Sequence, residues 1–416
     1  MQVFKFGGAS IKDADAVKNV GNIIKDYGKK PLVVVVSAMG KTTRALEELL
    51  SNNKDSSFDK RWNTIKTFHF DLMKDLFHSS HPVFVEIERR FGELAHLNYK
   101  NTEDVLLHAQ VVSYGEIFSS IIVSNYLNLI ELDTFWLFAP DVIKTEKLFS
   151  EGEVDWDTTE AKIKKELTPI LKQQLVITQG YIAACNEGII TLGKEGSDYT
   201  AAIFAACLKA EKVTIWKDVP GILNADPKEV KDAVQFYKLP YTEASEMTYY
   251  GASVIHPKTI KPLANRHIPL EVRSFDNPDA PSTIIFDYGT EELGPSIIFK
   301  RNQCLFSFKV VDYTFIDEEH LATIFKTLHE LNLPINMMQN SAISISVCFT
   351  FDQRKVDMLL ELLADKFTMY YNIGLKLITI KNYNPYAMAE HTPTKESVLM
   401  EQRTRNNYRA LIKDID

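Results

Sequence analysis

Length, composition and charge limit the kind of protein that this sequence encodes. The chain has 416 residues, 45% of them hydrophobic and 25% charged, which is typical of globular proteins and excludes a disordered or fibrous chain. Its length predicts two or three domains. The net charge of -8 argues against a general nucleic-acid surface, and no run has the pattern of a signal peptide or a membrane span. We therefore expect a cytoplasmic protein with no nucleic-acid partner and no membrane partner.

The first three quarters of the chain alternate between predicted strands and predicted helices. Two short β-branched runs, 3–6 and 32–37, end in glycine or small residues, and each precedes a helix-like segment, which is typical of parallel βα units. Residues 57–126 are predicted to be mostly helical. Further strands are predicted at 175–178, 189–192, 213–216 and 270–272. These patterns predict one large α/β domain over residues 1–298.

The pattern changes after residue 298 to a shorter cycle of strands and helices. Strands are predicted at 305–310, 335–338, 342–349 and 376–380, and helices at 318–331 and 352–364. This βαββαβ order is that of a ferredoxin-like unit, which we assign to residues 299–382. Residues 383–416 are polar and include Pro385 and Pro393, so we expect a polar C-terminal tail there, with room for one short helix.

Four loops carry residues suited to phosphate chemistry, and the first of them follows the first strand. In Lys5-Phe6-Gly7-Gly8 the glycines let the backbone approach a phosphate closely, and the lysine adds a positive charge. The N–H groups at the start of the following helix also favour an anion. A tight turn between strand and helix explains the same glycines, so this loop alone leaves both interpretations open.

The second loop, residues 37–43, again ends a hydrophobic strand and begins a helix. Its Gly40-Lys41-Thr42 resembles the end of a Walker A motif, but that motif requires a glycine where Val35 stands. The loop is therefore not a P-loop. Helix capping explains Thr42 or Thr43 as well as a binding role does.

The third and fourth loops, 191–202 and 216–228, also follow predicted strands. Ser197 and Asp198 stand at the beginning of an apolar helix, where residues of these types commonly act as caps. The fourth loop is rich in turn residues and contains both acids and bases. Because open α/β sheets bind ligands at the carboxyl ends of their strands, we expect the four loops to form one site.

Together these loops identify a resemblance to the aspartate kinases of the amino-acid kinase superfamily. The segments that match are 5–10, 37–43, Gly115-Glu116, 193–202, 216–228 and 249–259. The resemblance implies the amino-acid kinase fold for residues 1–298, an αβα sandwich with a mainly parallel open sheet. It further implies that the ferredoxin-like unit is an ACT domain.

The resemblance also implies a reaction, the ATP-dependent phosphorylation of the β-carboxylate of L-aspartate. The product, 4-phospho-L-aspartate, begins the synthesis of lysine, threonine, methionine and diaminopimelate, and Mg²⁺ would be held mainly by the ATP phosphates. An aspartate side chain has an ordinary pKa of about 3.9, so the nucleophile is already ionised and no general base is required. Positioning and positive charge must instead bring two anions together.

Each matching motif implies roles for particular residues. Lys5, Gly8 and Asp198 would be catalytic, with Lys5 stabilising the transferred phosphoryl group and Asp198 orienting Lys5. Glu116 would receive the ammonium group of the substrate. The implied substrate-binding residues are Ser37, Thr43, Glu116, Lys194 and Ser197. The implied ATP-binding residues are Lys5, Gly7, Gly8, Lys217, Asp218, Asp226, Lys228 and Lys258.

This sequence departs from the family pattern at several positions. Lys194 replaces an arginine that holds the substrate carboxylate, and lysine lacks the two-pronged donor geometry of arginine. Lys217 stands in place of a threonine and Ser253 in place of a lysine, so we hypothesise that Lys217 supplies part of the missing charge. Family members usually carry two ACT units, whereas this chain has room for one. We therefore predict weak or absent inhibition by lysine or threonine, and dimerisation through the ACT-like sheet is the simpler role for this unit.

Two other interpretations remain open. One is another kinase of the superfamily, acting on glutamate, acetylglutamate or UMP, which the helical block, Gly115-Glu116 and the ACT-like unit oppose. The other is a non-catalytic amino-acid sensor. The substitutions at Lys194, Lys217 and Ser253 motivate the sensor, whereas the intact phosphate-loop and Ser-Asp motifs oppose it.

Overall fold

The computed structural model describes residues 1–51, 58–97, 104–146, 152–252, 255–289, 293–311 and 314–414. The chain forms two compact units. The first contains Met1–Ile222, Gln235–Ser245 and Val254–Thr290. The second contains Leu223–Val234, Glu246–Ser253 and Glu291–Asp416.

An eight-stranded sheet with helices around it forms the first unit. Up to residue 290 the strands are β1 (Gln2–Phe6), β2 (Leu32–Val36), β3 (Thr134–Leu137), β4 (Leu175–Gln179), β5 (Ile182–Cys185), β6 (Gly188–Thr191), β7 (Lys212–Lys217), β8 (Ile222–Leu223), β9 (Gln235–Phe236), β10 (Lys238–Pro240), β11 (Leu270–Ser274) and β12 (Thr283–Phe286). The helices are α1 (Ala14–Tyr27), α2 (Thr42–Ser51), α3 (Phe58–Leu76), α4 (Val83–Ala95), α5 (Val105–Leu129), α6 (Ala139–Val142), α7 (Trp156–Ile170), α8 (Gly196–Leu208), α9 (Tyr241–Tyr250) and α10 (Pro257–Ala264).

The strand order of the large sheet is β10-β12-β11-β7-β1-β2-β4-β3. Every neighbouring pair is parallel except β11 with β12. The central strand β2 is buried along its whole length, as its unbroken run of valines predicts for a strand covered on both faces. The parallel α/β fold expected from the sequence is confirmed.

The register of the central strands brings the predicted loops to one edge of the sheet. Phe6, the last residue of β1, pairs with Val36 of β2 and with Trp216 of β7. Val36 in turn pairs with Gln179 near the end of β4. Because these strands are parallel and end together, the loops that follow them all lie at the carboxyl edge, where open α/β sheets bind ligands.

Helix α5 is the longest apolar helix of the first unit. Within the described residues it is the one helix that is long and apolar enough to cross a membrane, with 25 residues and a mean hydropathy of 1.3, but 72% of that apolar stretch is buried inside the protein. It packs against α2, α4 and β6. A helix covered by other elements in this way is built as the core helix of a folded domain.

The second unit is built on a six-stranded antiparallel sheet. Its elements are β13 (Ser296–Val310), α11 (Glu318–Glu330), β14 (Met337–Asn340), β15 (Ser344–Thr350), α12 (Gln353–Leu363), β16 (Phe367–Lys381), α13 (Pro385–His391), β17 (Val398–Arg403) and β18 (Asn407–Lys413). The strand order is β14-β15-β13-β16-β18-β17. The βαββαβ order expected from the sequence is present from β13 to β16, and α11 and α12 pack on one face of it.

The last part of the chain differs from the sequence prediction. Residues 383–416, expected to be a polar tail, contain α13, β17 and β18, and β18 pairs with β16 from Leu375 to Lys381. Tyr408 and Ala410 are buried with Ile380 on one face of the sheet, and Leu411 lies on the other. The polar ends of this segment hid its short apolar stretch, and pairing with β16 supplied the rest of its stability.

Two segments also cross the domain boundary expected at residue 298. Residues 223–234 and 246–253 belong to the second unit by their contacts. Glu229 in the first segment accepts from Arg301 at 2.7 Å, and Glu246 in the second forms an ion pair of 2.8 Å with the buried Lys381. Ala225 forms a bridge with Ile297. Local sequence patterns gave no sign of these long-range pairings.

Candidate active site

The glycine-containing loop after β1 packs with its backbone directly against the backbone of the loop after β2. A side chain at Gly8 would place its Cβ 2.7 Å from the oxygen of Ala38 and 2.9 Å from that of Gly40. The N–H of Gly40 donates to the oxygen of Gly8 at 3.0 Å. Only a glycine fits at position 8, because any Cβ would overlap the neighbouring loop. At Gly7 an added Cβ would meet Lys5 Nζ alone, at 3.4 Å.

A buried ion pair joins the first loop to the Ser-Asp turn. Lys5 Nζ lies 2.6 Å from Asp198 Oδ1, and the two residues are only 8% and 2% exposed. Lys217 Nζ lies 3.9 Å from the other oxygen of Asp198. Burial alone would raise the pKa of Asp198, but the charges of Lys5 and Lys217 and the hydrogen bond from Lys5 outweigh it, so that pKa is lowered. Asp198 therefore stays ionised and holds Lys5 in place.

Glu116 is a second buried carboxylate, presented by α5. Its neighbour Gly115 lets α5 approach the loop after β2, because a Cβ there would lie 2.8 Å from that of Ala38. Glu116 Oε1 accepts from the N–H of Ala38 at 3.2 Å, and Oε2 is buried with no hydrogen-bond partner among the described residues. Burial raises the pKa of Glu116 to about 8, against the smaller effects of this hydrogen bond and of Lys5. An unsatisfied buried acceptor of this kind is prepared for a cationic ligand.

These groups line one cavity of about 760 Å³ within the first unit. Eight of the residues expected from the sequence contribute to its wall, namely Lys5, Ser37, Thr43, Glu116, Lys194, Ser197, Asp198 and Lys217. Thr42, in contrast, is structural, because its buried hydroxyl donates to the oxygen of Met39 at 2.7 Å. The cavity combines three lysines with the buried carboxyl groups of Glu116 and Asp198, which suits a ligand that carries both negative and positive groups.

Comparison with known proteins agrees with this geometry. Residues 1–274 match the model of the amino acid kinase family. Lysine-sensitive aspartokinase 3 of Escherichia coli is 31% identical over 351 residues, covering 83% of this chain and 77% of the relative. The crystal structure of E. coli aspartokinase III in complex with aspartate and ADP superposes with a TM-score of 0.86 at 26% identity, covering 100% of this chain and 96% of the other.

The chain belongs to the aspartokinases of the amino acid kinase family. The resemblance inferred from the sequence motifs is thereby confirmed. Aspartokinase 1 of Arabidopsis thaliana chloroplasts is 30% identical over 369 residues, covering 85% of this chain and 64% of that relative. The chloroplastic bifunctional aspartokinase/homoserine dehydrogenase 2 of the same plant is 29% identical over 396 residues, but this chain spans only 42% of its length.

Several of the ATP-binding residues that the sequence predicts for this aspartokinase are not part of the cavity wall. Asp218 lines a separate depression of about 290 Å³ in the first unit, together with Ser10 and Lys12. Lys258 is in the first turn of α10. Asp226 and Lys228 belong to the second unit, where Asp226 accepts from the N–H of Lys228 at 2.9 Å. Their assignment to the nucleotide stays a prediction.

Eight further residues line the aspartokinase cavity without having been assigned to the site from the sequence, and they include His108, Tyr181 and Glu195. His108 lies eight residues before Glu116 on α5, so helical periodicity would have found it. Tyr181 lies in the short connection between β4 and β5, immediately after Gly180, and has a φ of +70°. Its position at a strand end was a usable signal, whereas its left-handed backbone was not, since only the fold reveals it.

Proposed function

We propose that this aspartokinase transfers the γ-phosphoryl group of MgATP to the β-carboxylate of L-aspartate, giving 4-phospho-L-aspartate. The observation that carries the proposal is the convergence of the Lys5–Asp198 ion pair and the unsatisfied Glu116 carboxylate on one cavity. The similarity to an aspartokinase structure that holds aspartate and ADP supports it over the whole chain.

The chemistry needs positive charge and alignment more than a base. The β-carboxylate of aspartate is ionised at neutral pH and attacks the γ-phosphorus directly, while the bond to the ADP oxygen breaks. Lys5 offsets the negative charge on the transferred group, and Asp198 keeps its ammonium directed into the cavity. Lys217 adds a second positive charge on the other side of Asp198. Mg²⁺ enters on the ATP phosphates, as part of the substrate.

The substrate side of the cavity has groups for both charged ends of aspartate. Glu116 receives the ammonium group, and Lys194, which is exposed at the cavity wall, attracts the α-carboxylate. Ser37, Thr43 and Ser197 supply hydroxyl groups between these ends. The nucleotide side proposed on the first unit comprises Gly7, Gly8, Lys217, Asp218 and Lys258, and the assignment of Asp226 and Lys228 to ATP stays a prediction from the sequence.

The described residues that line the cavity all belong to the first unit. We propose that its βαββαβ part is an ACT-like domain and that two copies of the chain dimerise through this sheet. Sedimentation of the purified chain across a range of concentrations tests the dimer. A cytoplasmic location and a place at the start of lysine, threonine and methionine synthesis stay predictions.

One experiment separates the proposed reaction from its alternatives. Acyl phosphate is trapped with hydroxylamine while aspartate, glutamate, acetylglutamate or UMP is offered with MgATP, and ADP release is followed in parallel. We expect hydroxamate with aspartate, formed roughly 10²- to 10³-fold more slowly by Lys5→Met. Product from another acceptor would assign another kinase activity, and aspartate binding without ADP release would assign a sensor.

A further inference from the structure

Glu195 has a backbone conformation that its residue type disfavours. It directly precedes α8 with φ +54° and ψ 29°, in the left-handed region. Side chains with a Cβ rarely adopt this region, whereas glycine does so freely. The carbonyl of Glu195 accepts from the N–H groups of Asp198 and Tyr199, at 3.0 and 3.2 Å. The strained residue therefore anchors the turn that carries Asp198.

The side chain of Glu195 joins this turn to a second helix. Its Oε2 accepts from the N–H of His256 at 2.9 Å. His256 is the N-cap of α10, and its Nδ1 accepts from the N–H of Lys258 at 3.2 Å. Because α10 packs against α8, a single carboxylate links the start of the helix that holds Asp198 to the start of the helix that holds Lys258.

We propose that Glu195 is a positioning residue. It fixes the N-terminus of α10 relative to Asp198, so that Lys258 contacts the nucleotide while Lys5 and Asp198 contact the transferred phosphoryl group. The inference rests on the proposed function, in which Lys258 contacts ATP. A backbone amide held by an ionised acceptor is bound more strongly and directionally than by a neutral one. If the turn alone mattered, glycine would serve it better than glutamate, because glycine carries no strain at this φ.

Three substitutions at one position separate the hydrogen bond from the backbone strain. Glu195→Gln keeps an acceptor for His256, Glu195→Ala removes the acceptor but keeps a Cβ, and Glu195→Gly removes the acceptor and relieves the strain. A hydrogen bond of this type corresponds to roughly a tenfold change in affinity. We expect the KM for ATP to rise about tenfold in both the alanine and glycine variants. In Glu195→Gln the KM for ATP stays within about threefold of wild type.

Lys258→Met is measured first, because it tests the role on which the inference rests. If Lys258→Met leaves the KM for ATP unchanged, the assignment of Lys258 to the nucleotide fails. If it raises the KM for ATP but Glu195→Ala does not, or if Glu195→Gly behaves like wild type, the positioning role of Glu195 fails. In the double variant Glu195→Ala, Lys258→Met, we expect no increase in KM beyond that of Lys258→Met. A Tm for Glu195→Gly equal to or above that of wild type shows that the loss is not one of folding.

Discussion

The raised pKa of Glu116 predicts that aspartate binding depends on pH. It also predicts that Glu116→Gln stabilises the protein at pH 8 while weakening its affinity for aspartate. Glu116 has an ordinary pKa of 4.5, which burial raises to about 8. At neutral pH the empty cavity therefore holds mainly the neutral acid, although the ammonium group of aspartate needs the carboxylate. Substrate binding must then release a proton, and the free energy of that ionisation opposes binding below pH 8.

The magnitude follows from the pKa. With a pKa near 8, each unit of pH below it raises the apparent KM for aspartate about tenfold, so the KM is about fiftyfold higher at pH 6 than at pH 8. The effect on folding has the opposite sense. Because the folded pKa is raised, the contribution to stability is full below pH 4.5 and is lost as pH rises through 8, with a total on the order of 4–5 kcal/mol. Glu116→Gln avoids this loss and should melt above wild type at pH 8.

Initial rates of ADP release, measured from pH 6 to 8.5 at saturating ATP, give the KM for aspartate, and thermal unfolding over the same range gives stability. Glu116→Gln should show a KM raised at least tenfold at pH 8 and a flat pH profile. His108→Gln is the matched control, because His108 lines the same cavity. A profile that keeps its slope in Glu116→Gln and loses it in His108→Gln would refute the reasoning, as would a lower Tm for Glu116→Gln at pH 8.

Three further predictions concern the loops and the C-terminal sheet. Lys5→Met should lower kcat by roughly 10²- to 10³-fold. It should also lower the free energy of unfolding by about 3 kcal/mol, because it leaves the buried charge of Asp198 without its main partner. Adding Asp198→Asn should restore the Tm but not the activity, and recovered activity would contradict the catalytic role of the pair. Gly8→Ala should cost about 1–3 kcal/mol, because its Cβ would lie 2.7 Å from the Ala38 oxygen, while Gly7→Ala should melt like wild type; equal melting of both variants would show that the loop yields. Ending the chain at Asn382 removes β18 and uncovers Leu377 and Ile380 on β16, so size-exclusion chromatography should show aggregation, whereas removing only residues 415 and 416 should not.

The strands and the loops after them could be predicted because their signals are local. The valine run of β2 and the glycines at 7 and 8 can be recognised as a buried strand and a tight loop from a few consecutive residues. A parallel sheet then brings the carboxyl ends of its strands to one edge. Together with the family resemblance, this was enough to name eight residues of the cavity wall. The ferredoxin-like order of the C-terminal unit was readable from periodicity alone.

What escaped prediction depends on contacts between distant residues. β18 has too little apolar surface to be read as a strand until β16 pairs with it. The raised pKa of Glu116 and the lowered pKa of Asp198 come from opposite balances of burial and nearby charge, and residue identity does not report either. The left-handed turn at Glu195 likewise depends on the fold, since the hydrogen-bond partner of its side chain is His256, the N-cap of α10.

The chain passes between its two units five times, because residues 223–234 and 246–253 of the N-terminal part pack with the C-terminal sheet. No single cut in the gene separates one unit from the other. A shorter product ending near residue 290 would keep both segments but lose Arg301 and Lys381, the partners of Glu229 and Glu246. Kinase and C-terminal sheet should therefore be inherited, fused or lost as one block, and gene fusions should add new domains only outside that block.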